Sequence, residues 1–206
     1  MQIQHFVLGM FETNSFIVSG NSAGKCILID PADRGKELAE WMKKENLTPE
    51  AILLTHGHYD HFLAVPDLQE EWPKLPVYCH PLDCPKETEE YDMGMVFPTV
   101  TSFKNRKPLS EGQTLHLAGF DIFVMHTPGH TPGSVTFIVE DAMFTGDFLF
   151  YGSIGRTDFK GGSMVEMGKS LKRIASIEGD YKVFPGHEDL TTFQREKKHN
   201  PYLKLL

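Results

Sequence analysis

Ala51-Ile52-Leu53-Leu54-Thr55-His56-Gly57-His58-Tyr59-Asp60-His61 is the stretch from which the rest of the chain is read. Its first four residues are a short, bounded apolar run, the pattern of a buried strand. Three imidazoles and one carboxylate then fall within six consecutive positions. Gly57 reads as the pivot of a sharp turn, where a residue with a Cβ would be strained. Such a turn aims His56 and His58 to one side, and Asp60 and His61 to a neighbouring point. Neutral imidazole nitrogen and carboxylate oxygen are the usual ligands of zinc and other first-row metals. A polar loop that merely faces water seldom gathers so many imidazoles around one glycine, so the stretch reads as a metal site.

Three later stretches repeat the arrangement with one ligand each. Phe120–His126 is followed by Thr127-Pro128-Gly129-His130, Ala142–Thr145 by Gly146-Asp147, and Val183-Phe184 by Pro185-Gly186-His187. A lone Asp after a strand is most often a turn or a helix cap, so each is weak alone. Their shared strand-glycine-ligand order is what adds them to the histidine cluster. If these strands share one sheet edge, the turns converge and a single pocket collects His56, His58, Asp60, His61, His130, Asp147 and His187. His126, two residues before Pro128, is expected to be hydrogen-bonded scaffold. His5, His80, His116 and His199 lack matching partners.

Around this nucleus the chain reads as one α/β domain spanning residues 1–206, without repeats or linkers. Three strand-like runs, Ile3–Gly9, Asn14–Ser19 and Lys25–Asp30, open it as an antiparallel meander. Arg34–Asn46 is expected as an amphipathic helix with Leu38, Trp41 and Met42 inward. A second helix is expected over Phe62–Trp72, interrupted or started at Pro66, with Asp60 and His61 at its first turn, where exposed N–H groups favour carboxylates. Pro76–Cys79 is a short strand, and residues 81–107 read as an irregular lid or substrate-facing insertion. Strands are expected at Thr114–Ala118, Phe120–His126, Ser134–Glu140, Ala142–Thr145 and Tyr181–Phe184. Helices are expected at Ser163–Ser176, with Met164, Met167, Leu171 and Ile174 on one side, and at Leu190–His199.

Composition removes several classes of function. With 20 basic and 28 acidic residues, the net charge of −8 repels phosphate backbones and argues against nucleic acid as a partner. The basic run Lys104-Asn105-Arg106-Lys107 reads as a solvated loop. No stretch approaches the ~18 apolar residues of a membrane span, and the first residues lack a signal-peptide pattern. The three cysteines, Cys26, Cys79 and Cys84, form no disulfide framework or common zinc spacing, so all are expected reduced and the protein cytoplasmic.

The ordered set His56-x-His58-x-Asp60-His61, His130, Asp147, His187 resembles the motif of the metallo-β-lactamase superfamily over nearly the whole chain. The resemblance implies a four-layer αββα sandwich with a dinuclear site at one edge of its sheets. It implies that His56, His58 and His130 hold one metal, that Asp60, His61 and His187 hold the other, and that Asp147 bridges them. Zinc is the expected metal, with iron and manganese also suited to this donor set. Within the superfamily the chain looks most like short bacterial members of the glyoxalase II group. The supporting stretches are Thr145–Phe150, Gly152–Phe159, Phe184–His187 and the tail Thr191-Thr192, Glu196 and Asn200–Leu203.

That likeness implies hydrolysis of a small acyl-thiol substrate of hydroxyacyl-glutathione type. Two divalent ions ~3.5–4 Å apart lower the pKa of a shared water toward ~7, so hydroxide is the expected nucleophile. A thiolate (thiol pKa ~8.5) then leaves without a proton donor. Asp147 and Asp60 are the expected catalytic carboxylates, Asp60 as a proton shuttle. Arg156, in a loop beyond Asp147, is expected to pair a substrate carboxylate. Longer family members hold glutathione with a C-terminal helical domain, whereas 19 residues follow His187 here, and Asp158 stands where that family has a tyrosine. The alternatives are a persulfide dioxygenase with one iron on His56, His130 and Asp147, and a lactonase of the same fold.

Overall fold

In the middle of the chain's strands, neighbouring side chains are buried in opposite directions. Ile17 of strand two, Cys26 and Leu28 of strand three and Ile52 of strand four pack into one core; Phe16, Val18, Ile27, Ile29, Ala51 and Leu53, their immediate neighbours, pack into another. A strand covered on both faces has no polar side, which is why these segments read as unbroken apolar runs. The computed structural model describes residues 1–20, 24–84 and 104–205.

Strands β1 (Gln2–Leu8), β2 (Thr13–Ser19) and β3 (Lys25–Ile29) form the expected antiparallel meander. Helix α1 (Gly35–Lys44) crosses to β4 (Thr48–Leu53), and α2 (Val65–Glu71) crosses to β5 (Val77–Cys79), both strands adding in parallel. β4 starts three residues earlier than the apolar run suggested. Thr48 and Pro49 pair with Lys25 and Cys26, and a register shift follows, a position where a strand tolerates proline. β6 (Arg106–Pro108) closes this six-stranded sheet. Part of the basic run is therefore edge strand rather than loop. The lid expected within residues 81–107 falls largely on positions 85–103, outside the described residues.

The second six-stranded sheet has the order β14-β13-β10-β9-β8-β7. It comprises β7 (Thr114–Leu117), β8 (Phe120–His126), β9 (Val135–Val139), β10 (Ala142–Gly146), β13 (Lys182–Pro185) and β14 (Thr191–Thr192). A small hairpin, β11 (Leu149–Phe150) with β12 (Ser153–Ile154), and helix α3 (Met164–Ala175) lie between β10 and β13. The sequence expected one closing helix; α4 (Phe193–His199) and α5 (Pro201–Lys204) are separate, broken at Asn200, whose side chain caps the Tyr202 N–H.

Three cores stack these layers. Leu38, Ala39 and Met42 of α1 and Leu68 of α2 cover the outer face of the first sheet, with Trp41 half-buried beside them. Phe137, Phe144 and Val124 meet Phe16 and Ile29 between the sheets. Met167, Leu171 and Ile174 of α3 cover the outer face of the second sheet, where Met164 proves exposed rather than inward. The αββα sandwich implied by the sequence is the architecture observed.

Two expectations fail here. Cys79 and Cys84 are joined in a disulfide, not reduced, because the turn after β5 brings their Cα atoms to 5.4 Å, within bonding range. Only Cys26 is a free thiol, and burial pushes its pKa up to about 12. Nor do the ligand-bearing strands share one sheet edge. β4 belongs to the first sheet, whereas β8, β10 and β13 belong to the second. β8 and β10 both oppose β9, and β13 runs parallel to β10, so their C-terminal ends lie together. The two sheets are tied at that end: the Val135 N–H donates to Thr55 O at 2.8 Å, and the Asn14 N–H to Gly186 O at 2.7 Å.

Candidate metal centre

Tyr59–His61 forms a single 3-10 turn of its own, apart from α2, which starts at Val65 with Pro66 in its first turn. Asp60 and His61 therefore precede the helix instead of opening it. Gly57 is also needed for a different reason from the one expected. Its backbone is not left-handed, but a Cβ there would stand 2.1 Å from Asp83 O. Gly186 plays the same part opposite, since its Cβ would meet Asp147 Oδ1 at 2.3 Å and His61 Cε1 at 2.8 Å.

All seven side chains singled out in the sequence converge. The ligand atoms of His56, His58 and His130 lie within 4.8 Å of one another, as do those of Asp60, His61 and His187; His56, His61 and Asp147 form a third such group across the two. His58 Nδ1 is 3.1 Å from His56 Nε2 and 2.8 Å from His130 Nε2. His187 Nε2 stands 3.4 Å from Asp60 Oδ2, and His61 Nε2 3.7 Å from the same oxygen. Asp147 faces both triads, with Oδ1 3.5 Å from His61 Nε2, and Oδ2 3.3 Å from His130 Nε2 and 3.5 Å from His187 Nε2. His61 Nε2 and Asp147 Oδ1 are buried and make no hydrogen bond among the described residues. Orphaned buried polar atoms are costly. Five imidazoles and two carboxylates facing inward are what divalent cations would satisfy, so the residues present fit such ions.

The rings are aimed from behind. His61 Nδ1 is 2.9 Å from Asp30 Oδ2, His130 Nδ1 2.7 Å from Arg156 O, and His187 Nδ1 3.0 Å from Phe11 O. His56 Nδ1 is 3.1 Å from Thr55 Oγ1. Each contact leaves Nε2 to the centre, the arrangement that fixes a ligand's tautomer. Asp60 Oδ2 accepts from Thr13 Oγ1 at 3.1 Å.

Two acidic residues essential to this frame were missed in the sequence. Asp30 accepts from the Thr55 N–H at 2.8 Å and Thr55 Oγ1 at 2.6 Å as well as facing His61. Asp83 accepts from the Gly133 N–H at 2.7 Å, from the Thr131 hydroxyl and from the Gly57 N–H at 3.3 Å, tying the first histidine loop to the loop after His130. Among the histidines set aside, His126 is scaffold as expected: its ring contacts Pro132 O at 2.9 Å and stacks on His80.

The electrostatics divide the cluster in two. Burial, reinforced by neighbouring imidazoles, pushes His56 well down and His58 to about 4, so both stay neutral. Burial works the same way on His61 and His187, but facing carboxylates outweigh it. Asp60, Asp147 and Asp30 raise His61 to about 9, and Asp147 and Asp60 raise His187 to about 10. Burial opposes ionisation of Asp147 and Asp60, yet His61 and His187 hold Asp147 at about 2 and Asp60 below its usual range. Without cations, the imidazolium groups of His61 and His187 are held by the carboxylates that face them, Asp60, Asp147 and Asp30.

The centre opens into a cleft of about 730 Å³. Phe11, Phe150, Ile154 and Phe159 supply apolar wall beside the ligands, and Arg156 and Glu188 also line it. The Arg156 guanidinium is engaged by its own chain neighbours. Its Nε and terminal nitrogen donate to the two Asp158 carboxylate oxygens, each at 2.7 Å, while its Cζ sits 3.9 Å over the Phe159 ring.

No helix among the described residues is long and apolar enough to cross a membrane. The chain is similar to the hydroxyacylglutathione hydrolase GloC of Haemophilus influenzae, 30% identical with 98% of each chain covered. Among solved structures, BLEG-1 B3 metallo-beta-lactamase superposes with a TM-score of 0.89 at 34% identity, covering 98% of this chain and 99% of that one. TTHA1623 in a di-iron-bound form gives 0.82 at 35% identity, covering 97% and 100%. ETHE1 from Myxococcus xanthus gives 0.81 at 25% identity, covering 98% and 84%. Residues 8–187 match the Metallo-beta-lactamase superfamily model, and with the sandwich and the converging histidines before us, the chain belongs to that superfamily.

Proposed function

We propose that the protein is a dinuclear metal-dependent hydrolase that cleaves thioesters. The single observation that carries this reading is the pair of ligand triads with Asp147 facing both. When bound, two divalent cations supply an acidified water and a Lewis acid for the substrate carbonyl. His56, His58 and His130 would hold one, Asp60, His61 and His187 the other, and Asp147 both; zinc suits this set, as do iron and manganese.

The chain's own groups do the rest. Asp60 lines the cleft as an anion, which suits it to hold a cation; the charges that keep it ionised also make it a weak base, so Oδ2 takes up a released proton only in passing. A thiolate needs no proton to leave, which accords with a cleft whose wall is largely aromatic and aliphatic. That wall excludes water around the reacting carbonyl and strengthens every charge interaction there. Similarity to the hydroxyacylglutathione hydrolase supports the acyl-thiol class. A dioxygenase with one iron on His56, His130 and Asp147 would leave Asp60, His61 and His187 idle, and their tight grouping weighs against it.

The test pairs metal analysis with a screen over S-lactoyl thioesters, lactones, cephalosporins and, with an oxygen electrode, persulfides. We expect two metals per chain and thioester turnover, with both the second metal and turnover lost in Asp60→Ala/His187→Ala. Turnover surviving in that double variant would falsify the two-metal reading. Oxygen uptake with a persulfide, at one metal per chain, would put the dioxygenase in its place.

A further inference from the structure

Three carbonyl oxygens around His187 end on one residue of the other sheet. The Asn14 backbone N–H donates to Gly186 O at 2.7 Å, and its Nδ2 donates to Pro185 O and to Glu188 O, each at 3.0 Å. Carbonyl oxygens only accept, so the amide nitrogen faces them and Oδ1 faces His5 Nε2, 2.7 Å away, which is then the donor. His5 in turn stacks on Phe16, with ring centroids 5.1 Å apart. Both amide hydrogens and the amide oxygen are thus committed, in a residue only 1% exposed. The turn that Asn14 grips is a demanding one. Glu188 is left-handed at φ 64°, uncommon for a residue with a Cβ, and such a backbone persists where its surroundings over-determine it.

The same stretch supports more of that half of the centre. Phe11 O faces His187 Nδ1 at 3.0 Å, and the Thr13 hydroxyl donates to Asp60 Oδ2 at 3.1 Å. His56 and His130 are backed from elsewhere, by Thr55 Oγ1 and Arg156 O. We propose that Asn14 is a positioning residue for the cation of the Asp60, His61 and His187 group: it fixes the turn that presents His187, so losing its amide weakens that half of the centre and leaves the half on His56, His58 and His130 intact. This rests on the two-cation part of the proposed function and deepens it.

The experiment follows stepwise manganese binding by calorimetry and electron paramagnetic resonance. The wild type should take up two ions and show the spectrum of a coupled pair. Asn14→Ala should keep one affinity and bind the other ion ~10–100-fold more weakly, the range for losing support behind a metal-binding histidine. With one ion bound, its uncoupled spectrum should match that of His187→Ala and differ from that of His58→Ala. Asn200→Ala separates this from general loosening. Asn200 is an equally enclosed amide between α4 and α5, bonded to Ser153 O at 2.9 Å and Glu196 Oε2 at 3.0 Å, and its variant should bind both ions as the wild type does. Should Asn14→Ala fail to fold, His5→Phe decides: it keeps a ring beside Phe16, removes the donor to Oδ1, and should show a smaller fall in the same affinity. An unchanged weaker-site affinity, equal weakening of both ions, or the same loss in Asn200→Ala overturns the inference. A wild type that binds one ion only would sink the two-cation reading and this inference together, whereas two ions held alike by wild type and variant would sink the inference alone.

Discussion

Asp30 Oδ2 lies 2.9 Å from His61 Nδ1 with both side chains enclosed, at 2% and 0% exposure, and Asp30 holds a left-handed backbone at φ 47°. An aspartate in that conformation is uncommon and must be held there by its surroundings. What holds it is the Thr55 N–H and hydroxyl, both donating to the same carboxylate. The residue before the first histidine and the ring of the third are thus oriented by one side chain from β3's end.

Removing that carboxylate should weaken the centre without touching a ligand. In Asp30→Ala the buried Thr55 N–H loses its partner, which costs ~1–3 kcal/mol of stability. His61 loses the contact that fixes its tautomer, and divalent-ion affinity should fall ~10–100-fold. Asp30→Asn, which tolerates the left-handed backbone, should keep the fold and still lose affinity. A chelator-competition titration decides; an unchanged affinity in both variants would mean that Asp30 is scaffold alone.

Loading the centre should release protons. His61 at about 9 and His187 at about 10 are charged near pH 7.5, whereas His56 and His58 are already neutral. Imidazolium cannot ligate, so both protons must go. Calorimetry at pH 7.5 in buffers of different ionisation heat should give about two protons per loaded chain from these imidazoles and most of a third from the bound water, and affinity should rise with pH up to ~9–10. In metal-free protein the sign for stability is the reverse. A histidine whose folded pKa is raised contributes fully below ~6.5 and loses that contribution as pH climbs through the folded value. The metal-free melting temperature should therefore fall between pH 7 and 10. His58, lowered to about 4, works against stability only below ~6.5, outside that window. A flat alkaline profile would refute the charge assignment.

How far the centre could be read from sequence depended on how local its partners are. His56 to His61 announce themselves because four of six consecutive positions carry ligand-type side chains around one glycine. His130, Asp147 and His187 were legible only through their repeated strand-glycine setting. Asp30 and Asp83 carry no such setting: their partners lie 25 to 50 positions away, and a single acid after a strand looks like any turn residue. The division of ligand strands between two sheets was equally hidden, because a strand buried on both faces reads the same in either sheet. Gly57 was recognised, but for flexibility, when what it supplies is room for Asp83.

The Cys79–Cys84 bond should appear chemically. Denatured, unreduced protein should titrate as one thiol, Cys26, and as three after reduction. Native protein should resist alkylation, since Cys26 is enclosed and its pKa is pushed up to about 12. The bridge closes a loop of sequence separation 5, for which chain-entropy arguments give about 2 kcal/mol. Cys79→Ser/Cys84→Ser should lower the melting temperature accordingly. Asp83 adjoins the bridge and holds the Gly57 and Gly133 loops, so the variant should also loosen metal binding. Three reactive thiols in unreduced, denatured protein would rule the bridge out.

Gly186 gives the sharpest test of whether the seven side chains act as one site. A methyl group there would press on Asp147 and His61 at once, at 2.3 and 2.8 Å. These belong to a close-packed centre, so Gly186→Ala cannot be relieved by moving a flexible chain end, and overpacking of this kind costs ~1–3 kcal/mol. The larger effect should be on function. Displacing the carboxylate that faces both triads should lower metal content and reduce turnover by ~100-fold, the scale expected when catalytic geometry shifts by about an ångström. Gly168→Ala is the control: it lies in α3, nothing stands within 4 Å of its added Cβ, and it should stabilise by ~0.5–1 kcal/mol. If Gly186→Ala keeps two metals and full turnover while Gly168→Ala behaves as stated, Asp147 does not join the two triads.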